Sequence, residues 1–560
     1  MKKILLIVPP NIRFEDYIQP ASNTKVTTKG KKSFGNLITD MPLGVISLSA
    51  YLKKHIECQF EFIDFNVELN KIDDFRYETF ADYFSSILSQ RYGHQQFDFI
   101  GISALFSTAY RSLIDLGEIS SQMFPTAMLI AGGNVPTVSY KEIFKDTDCF
   151  DAICHGEGDI PLLNLVKADN PYDFVLTDNS WITKHKLQTT IHFEHKFIND
   201  LDEIPFDYSL INVDDYEINP TIKSYVGVGE GKLSYNIMTS RGCPFKCVFC
   251  ASHATHGRDM RYESVDRVKE NILKLKEMGV GVITFEDDHF MGNKSRAYEI
   301  VKYVGDIGLT AFFPNSLALY ALSREMLQAL KNAGVNSLIL AVESGSDRVL
   351  KKVMKKPLKL EIVRRVAKDC REIGIYTDCN ILFGLPGETK EDIAETRAFL
   401  KTVDANWFRI NVATPIIGSE MYDVCEENDY FQGEVVESNY KRAIVGTKDF
   451  TPEFIQEVTY DTNIELNFVN NADMKLGHYK TALASFENVI KVKPDHPIAH
   501  YYASICCEYL ENKEKANYHY ELYCKHGQSD FWQKFINKYD LPIINGENVG
   551  VDFGRTVTRC

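Results

Sequence analysis

The chain has 560 residues, 44% of them hydrophobic and 25% charged, the balance of a folded soluble protein with room for three or four domains. Its formal net charge of −15 excludes a chain-wide attraction to phosphate backbones, so general nucleic-acid binding is not expected, although one basic cleft remains compatible with it. Thirteen cysteines, an odd number in a large chain, exclude a simple disulfide framework and favour reduced thiols, some of them metal ligands.

The first apolar run, Ile4 to Val8, is too short for the core of a signal peptide and is followed by Pro9 and Pro10. It reads as a buried first strand. No stretch reaches the roughly 18–20 apolar residues that a membrane span needs, so a cytoplasmic location is expected.

Across 1–170, strand-like runs (4–8, 60–65, 98–103, 127–132 and 152–154) alternate with helical stretches such as 44–55. This βαβ alternation predicts an α/β domain with a doubly wound, Rossmann-like parallel sheet. Ligands of such sheets bind at the carboxyl ends of the strands. The turns Gly101-Ile102-Ser103, Gly132-Gly133-Asn134 and Gly156-Glu157-Gly158-Asp159 fall there. Residues 171–231, with Pro205 and Pro220, read as a connector that packs on its neighbours.

From 232 to 425 the alternation resumes, with strands expected at 233–239, 281–285, 310–313, 337–341, 377–383 and 407–412. Amphipathic helical stretches, for example 265–278, 323–333 and 360–373, separate them. Such a run of βα units predicts a partial (β/α)6 barrel with its working residues on the loops after the strands. Residues 426–462 read as a helical or lid segment, 463–530 as helix–turn–helix pairs, and 531–560 as a C-terminal tail. In the helical pairs Gly477, Tyr479, Ala482, Phe486 and Pro494 stand where a tetratricopeptide repeat puts its small, aromatic and turn residues. Little more than one repeat is present, and solenoids need about three to stack stably, so this piece is expected to pack on the rest of the chain.

The central chemical signal is Cys243, Cys247 and Cys250, spaced C-x-x-x-C-x-x-C on the loop after the first barrel strand. Thiolates are the soft ligands that a four-iron cubane takes, and with only three of them one iron stays open to chelate a small molecule. Zinc prefers four ligands in paired spacings, and His253 and His256 follow closely enough to complete such a site. Arg241 and Arg261 flank the motif and suit either bidentate anion binding or ordinary salt bridges. Cys370, Cys379, Cys506 and Cys507 read as core, although Cys379 on a strand also suits a radical relay facing the barrel lumen.

This cysteine segment, together with the loops after the later barrel strands, resembles the radical S-adenosylmethionine superfamily. The resemblance implies that Cys243, Cys247 and Cys250 hold a [4Fe–4S] cluster whose fourth iron binds the amino and carboxylate groups of S-adenosylmethionine (SAM), and that one electron from the cluster yields a 5′-deoxyadenosyl radical. Phe249 would then lie against the adenine. The acidic segment Phe285-Glu286-Asp287-Asp288-His289-Phe290 resembles the one near the methionine amino group, with Glu286 and Asp287 as the contacts. Glu343 and Ser344, in Glu343-Ser344-Gly345-Ser346, resemble the ribose-contacting segment, and Gly384 and Pro386, in Gly384-Leu385-Pro386-Gly387-Glu388, the motif beside the adenine. Each segment also reads as a helix cap or a turn.

The N-terminal domain, through Pro9-Pro10-Asn11, Pro42-Leu43-Gly44, Gly101-Ile102-Ser103, Gly132-Gly133 and Gly156-Glu157-Gly158-Asp159, resembles the cobalamin-binding domain that precedes many radical SAM enzymes. The resemblance implies cobalamin contacts at Pro10, Asn11, Gly44, Ser103, Gly132, Gly133, Asn134, Gly156 and Glu157, with cobalt facing the radical site. A D-x-H-x-x-G motif is absent, which leaves the lower cobalt ligand unassigned, and Asn134, Val135, Pro136 and Thr137 stand where a histidine precedes a Thr or Ser in related turns. The implied function is cobalamin-dependent radical chemistry that methylates an unactivated centre of a small molecule or peptide. Cyclisation or rearrangement without methyl transfer is the alternative, and a zinc-containing scaffold with a partner-binding helical tail is the reading from another class. An electron donor of the flavodoxin or ferredoxin type is the expected protein partner.

Overall fold

In the computed structural model, which describes residues 1–20, 26–29, 32–37, 39–189, 192–216, 233–433, 435 and 442–542, the first apolar run is strand β1 (Lys2–Val8), buried from Ile4 onward. It is buried on both faces, as a central parallel strand must be. Leu5 and Ile7 join one apolar core and Ile4 and Leu6 the other. The sheet runs β2 (Cys58–Asp64), β1, β3 (Phe99–Ser103), β4 (Met128–Gly132), β5 (Ala152–Cys154), β6 (Trp181–Ile182). All neighbours are parallel except β5 and β6. Helices α1 (Leu43–His55) and α4 (Asp159–Lys167) cover one face, and α2 (Phe80–Tyr92) and α3 (Tyr110–Met123) the other. The chain leaves β1 for β2 on one side and returns to β3 on the other, and that reversal opens the crevice in which doubly wound sheets bind ligands. Because β6 and the helix Pro171–Thr177 belong to this domain, it extends past the expected boundary at 170.

The second α/β unit contains β7 (Leu233–Ile237), β8 (Val280–Phe285) and β9 (Thr310–Phe312) in one parallel three-stranded sheet, and β10 (Ser337–Glu343), β11 (Tyr376–Phe383) and β12 (Trp407–Val412) in another. Among the described residues no ladder joins β9 to β10, so the barrel is a split half-ring. An outer layer of helices, including α5 (Val265–Glu277), α6 (Lys294–Asp306), α7 (Arg324–Asn332), α8 (Leu360–Ile373) and α9 (Lys390–Leu400), covers it. Strand alternation sorts the side chains. Leu340, Cys379 and Phe408, in register on neighbouring strands, pack on the helices, while Asn380 and Arg409 turn to the interior. Cys379 is fully buried in that outer core, so the relay reading fails.

The remaining helices, α10 (Pro452–Ile464), α11 (Tyr479–Val492), α12 (Pro497–Tyr509), α13 (Lys513–His526) and α14 (Asp530–Lys538), share a core around Phe468, Phe486, Tyr502 and Trp532. α14 contributes Trp532 and Phe535 to it, so the helical region runs beyond 530, and 543–560 of the expected tail lie outside the described residues. This body docks on β12 and on the starts of β11 and β12. Asn467 accepts the Phe408 N–H and donates to the Phe408 carbonyl, both at 2.8 Å, and so completes the edge of the sheet. Asp473, fully buried, accepts from Asn406 at 3.1 Å and from Arg371 at 2.5 Å. Among the described residues no helix is long and apolar enough to cross a membrane.

Candidate active site

The loop that follows β7 is built by its flanks. Asp287, after β8, accepts from the Thr239 N–H at 3.2 Å, the Thr239 hydroxyl at 2.9 Å and the Ser240 hydroxyl at 2.5 Å. Ser240–Arg241 then pairs antiparallel with Arg261–Tyr262 and ties the loop closed. Gly242 sits at φ +92°, where a Cβ would stand 2.4 Å from the Asp259 carbonyl oxygen, so only glycine fits. The Cys243 N–H donates to Gly257 O at 3.3 Å, the Cys250 N–H to Cys247 O at 3.1 Å and the Val248 N–H to Met354 O at 3.1 Å. All three thiols are unbridged and half-buried. Burial pushes the Cys243 thiol up to about 11 and raises Cys247, so a bound metal has to drive their deprotonation. Three soft donors on one short loop fit an iron–sulfur cluster. Among the described residues no group of three or more His, Cys, Asp or Glu is gathered to hold a single ion; a four-iron cluster spreads three ligands over three irons and needs no such convergence.

The two α/β units meet through Glu157, from the turn after β5. Its carboxylate receives Arg261 Nη1 and Nη2 at 2.8 and 2.6 Å, Arg241 Nη1 at 3.0 Å and approaches His256 Nδ1 at 2.8 Å. Asp159 accepts from Arg241 at 2.8 Å and from the Ser47 hydroxyl at 2.5 Å. Burial alone would raise Glu157, but the Arg241 and Arg261 guanidiniums hold it well below the usual carboxylate range. The two arginines therefore serve salt bridges within the protein. Nearby, Asn134 Oδ1 accepts from the Thr255 hydroxyl at 2.9 Å.

Between the strand ends of the first sheet and the loops of the split barrel lies a cavity of about 850 Å³. Of the residues expected to meet cobalamin, Asn11, Gly44, Ser103, Gly132, Gly133, Asn134, Gly156 and Glu157 line it, whereas Pro10, which is buried, does not. A Cβ added at Gly44 would meet no protein atom, which leaves that wall open for a large planar guest. Leu105 and Phe106, 57% and 41% exposed, present apolar surface to the same space. On the barrel side Phe249, Cys250, Glu286 and Asp288 line it, with Thr414, Pro415 and Ile416.

The SAM-directed residues divide. Glu286 faces the cavity, where Asn236 donates to it at 2.7 Å and burial, with Asp40 opposite, pushes it up to about 8. Asp287 is consumed by Thr239 and Ser240 and does not line the cavity. Asp288 does, and its Oδ2 is buried without a partner. This carboxylate is the residue that the sequence reading missed; only its membership of the Glu286–Asp288 triplet pointed to it. Glu343 ends β10 at φ +68°, a conformation that costs an L-residue energy, with its carboxylate 3.8 Å from Lys356 Nζ. Ser344 is fully buried and engaged, with Thr396 at 3.0 Å and accepting the Ser346 N–H at 3.1 Å. The Gly384 N–H donates to Glu388 at 2.7 Å, and Pro386 is half-buried in the same turn.

Comparison with known proteins agrees with this division of the chain. The family model of the B12 binding domain matches residues 40–166, and that of the Radical SAM superfamily matches residues 237–400. The chain is 27% identical over 368 residues to an uncharacterized methyltransferase of Pyrococcus horikoshii, covering 64% of this chain and 76% of the relative. It is 26% identical over 404 residues to the cytidylyl-2-hydroxyethylphosphonate methyltransferase of Streptomyces wedmorensis, covering 66% and 75%. The structure of the cobalamin-dependent S-adenosylmethionine radical enzyme OxsB, with aqua-cobalamin and SAM bound, superposes with a TM-score of 0.59 at 15% identity, covering 96% of this chain and 80% of that one, a likeness of fold.

Proposed function

The chain belongs to the radical SAM superfamily and carries a B12-binding domain ahead of the catalytic one, and from that premise we propose that it is a cobalamin-dependent methylase acting on an unactivated centre of a small molecule or peptide. The observation that carries this reading is the continuity of the cavity, which runs from the strand ends of the first sheet to Cys250. When bound, the cluster supplies the electron that splits SAM, and cobalamin supplies a carrier for a methyl group.

The chain's own residues supply the rest. Cys243, Cys247 and Cys250 would hold the cluster and, being three, would leave it able to bind SAM. Asp288, with its unpartnered oxygen, and Glu286 accept hydrogen bonds from the methionine ammonium, a charge-assisted contact. Phe249, beside Cys250 in the cavity wall, offers a face for the adenine. Glu343, held in its unusual backbone conformation, takes the ribose hydroxyls. Leu105, Phe106, Pro415 and Ile416 keep water from the space in which a carbon radical has to survive. A reducing cytoplasm suits the free thiols.

The test is anaerobic purification with cobalamin, then assay of both SAM products. About four irons and about four sulfides per chain are expected, and with substrate present S-adenosylhomocysteine forms beside 5′-deoxyadenosine. Zinc in the cysteine site, with SAM intact under strong reduction, overturns the assignment; 5′-deoxyadenosine without S-adenosylhomocysteine redirects it to cyclisation or rearrangement.

A further inference from the structure

In a chain of net charge −15, residues 351–359 read Lys-Lys-Val-Met-Lys-Lys-Pro-Leu-Lys, with no acidic residue among them. The run begins in the helical turn Val349–Val353 and ends at the start of α8. Its place in the fold is fixed by the cysteine loop, because the Val248 N–H donates to Met354 O at 3.1 Å. The charge of Lys356 reaches Cys247. Lys351, Lys352, Lys355 and Lys359 are exposed, as is Lys246 within the cysteine motif. Three carboxylates offset part of this charge: Asp347 stands 3.4 Å from Lys351, Glu343 stands 3.8 Å from Lys356, and Glu420 pairs with Lys355. An excess of positive charge remains.

The location gives the charge a meaning. Cys250 opens onto the cavity, whereas Cys243 and Cys247 do not line it. None of these lysines lines the cavity, and the crest of the cysteine loop, Pro244 and Lys246, is in solvent. A cluster with SAM on one side needs its electron from the other. We propose that the exposed Lys246, Lys351, Lys352, Lys355 and Lys359 form the docking face for a small acidic one-electron donor protein. The donor loses one electron and the cluster held by Cys243, Cys247 and Cys250 gains it, with no proton or bond exchanged. The inference rests on the proposed function. Charge complementarity of this kind steers encounter and raises on-rates by about 10- to 1,000-fold at low salt.

The test compares the holoenzyme with its K351E/K352E/K359E variant, three positions outside the catalytic machinery. Binding to a flavodoxin is measured by biolayer interferometry at low and high salt, and 5′-deoxyadenosine formation is driven either by reduced flavodoxin or by dithionite. The variant is expected to bind flavodoxin about tenfold more weakly at low salt, to lose most of the salt dependence, and to turn over about tenfold more slowly with flavodoxin but normally with dithionite. Unchanged flavodoxin binding overturns the proposal, and so does an equal loss with both reductants. Binding of a transfer RNA by these lysines in place of flavodoxin overturns it as well, in favour of a nucleic-acid face. If the wild type yields no 5′-deoxyadenosine even with dithionite, the proposed function fails, while the binding measurement still decides the docking face.

Discussion

Asp287 and Asp288 are neighbours of identical chemistry with opposite surroundings. Asp287 spends its oxygens on Thr239 and Ser240 and so fixes the entrance to the cysteine loop, whereas Asp288 keeps a buried oxygen unbonded at the cavity wall. A charge-assisted hydrogen bond to a ligand is worth roughly 1.5–3 kcal/mol. Asp288→Asn is therefore expected to weaken SAM binding about tenfold to a hundredfold with the iron content intact. Asp287→Asn is expected to do the reverse, lowering the iron retained after reconstitution more than the affinity of the loaded fraction. Equilibrium dialysis with labelled SAM and an iron assay separate the two. The sequence pointed to the triplet but not to the member, because which carboxylate turns back onto the strand depends on how β8 ends against β7, a tertiary fact. Arg241 and Arg261 had two readings at the sequence level for the same reason: the acid that claims both, Glu157, lies about a hundred residues away along the chain.

Single elements act here as clamps. The turn after β5 was legible as a ligand turn from its glycines, yet its acidic residue crosses to the other domain. Glu157 is 5% exposed and closes on two guanidiniums, and removing one partner from such a buried set costs about 3–5 kcal/mol. Glu157→Ala is expected to lower the melting temperature by that equivalent and to reduce cobalamin retention on gel filtration; retention at the wild-type level together with wild-type melting would show that the clamp bears no load. The turn after β11 carries a different electrostatic signature. Burial pushes Glu388 up to about 8, against the Gly384 and Leu385 N–H groups that favour its charged form. Since the unfolded chain ionises near pH 4, the folded state binds the extra proton between those two values. Its favourable contribution is complete below about pH 4 and is lost as pH rises toward 8. Glu388→Gln is thus expected to melt higher relative to wild type at pH 8 than at pH 5, and thermal scans across that range read the difference directly.

At the scale of the whole molecule, the two α/β units and their order along the chain were readable because each strand is an apolar run bounded by turn residues, and the six barrel strands appear within a few residues of where periodicity put them. What periodicity does not carry is the gap between β9 and β10, or the role of the helical region. That region was legible as helix pairs through Ala482 and Phe486, both fully buried, but its partner surface was not. The structure gives it one: Asn467 completes the β12 edge, Asp473 satisfies Asn406 and Arg371, and Glu465 pairs with Arg397 at 2.5 Å. Deleting everything after residue 462 would bare the Phe408 peptide on an edge strand, expose Trp407, and leave Arg371 and Arg397 without these partners. Edge strands left open in this way pair with other chains. The truncated protein is therefore expected to be largely insoluble, or to melt well below the full chain, and Asn467→Ala alone is expected to lower the melting temperature with the helices still in place. A truncated chain that stays monodisperse and melts with the full protein would make the helices a detachable recruiting module instead of the wall that closes the barrel's open side.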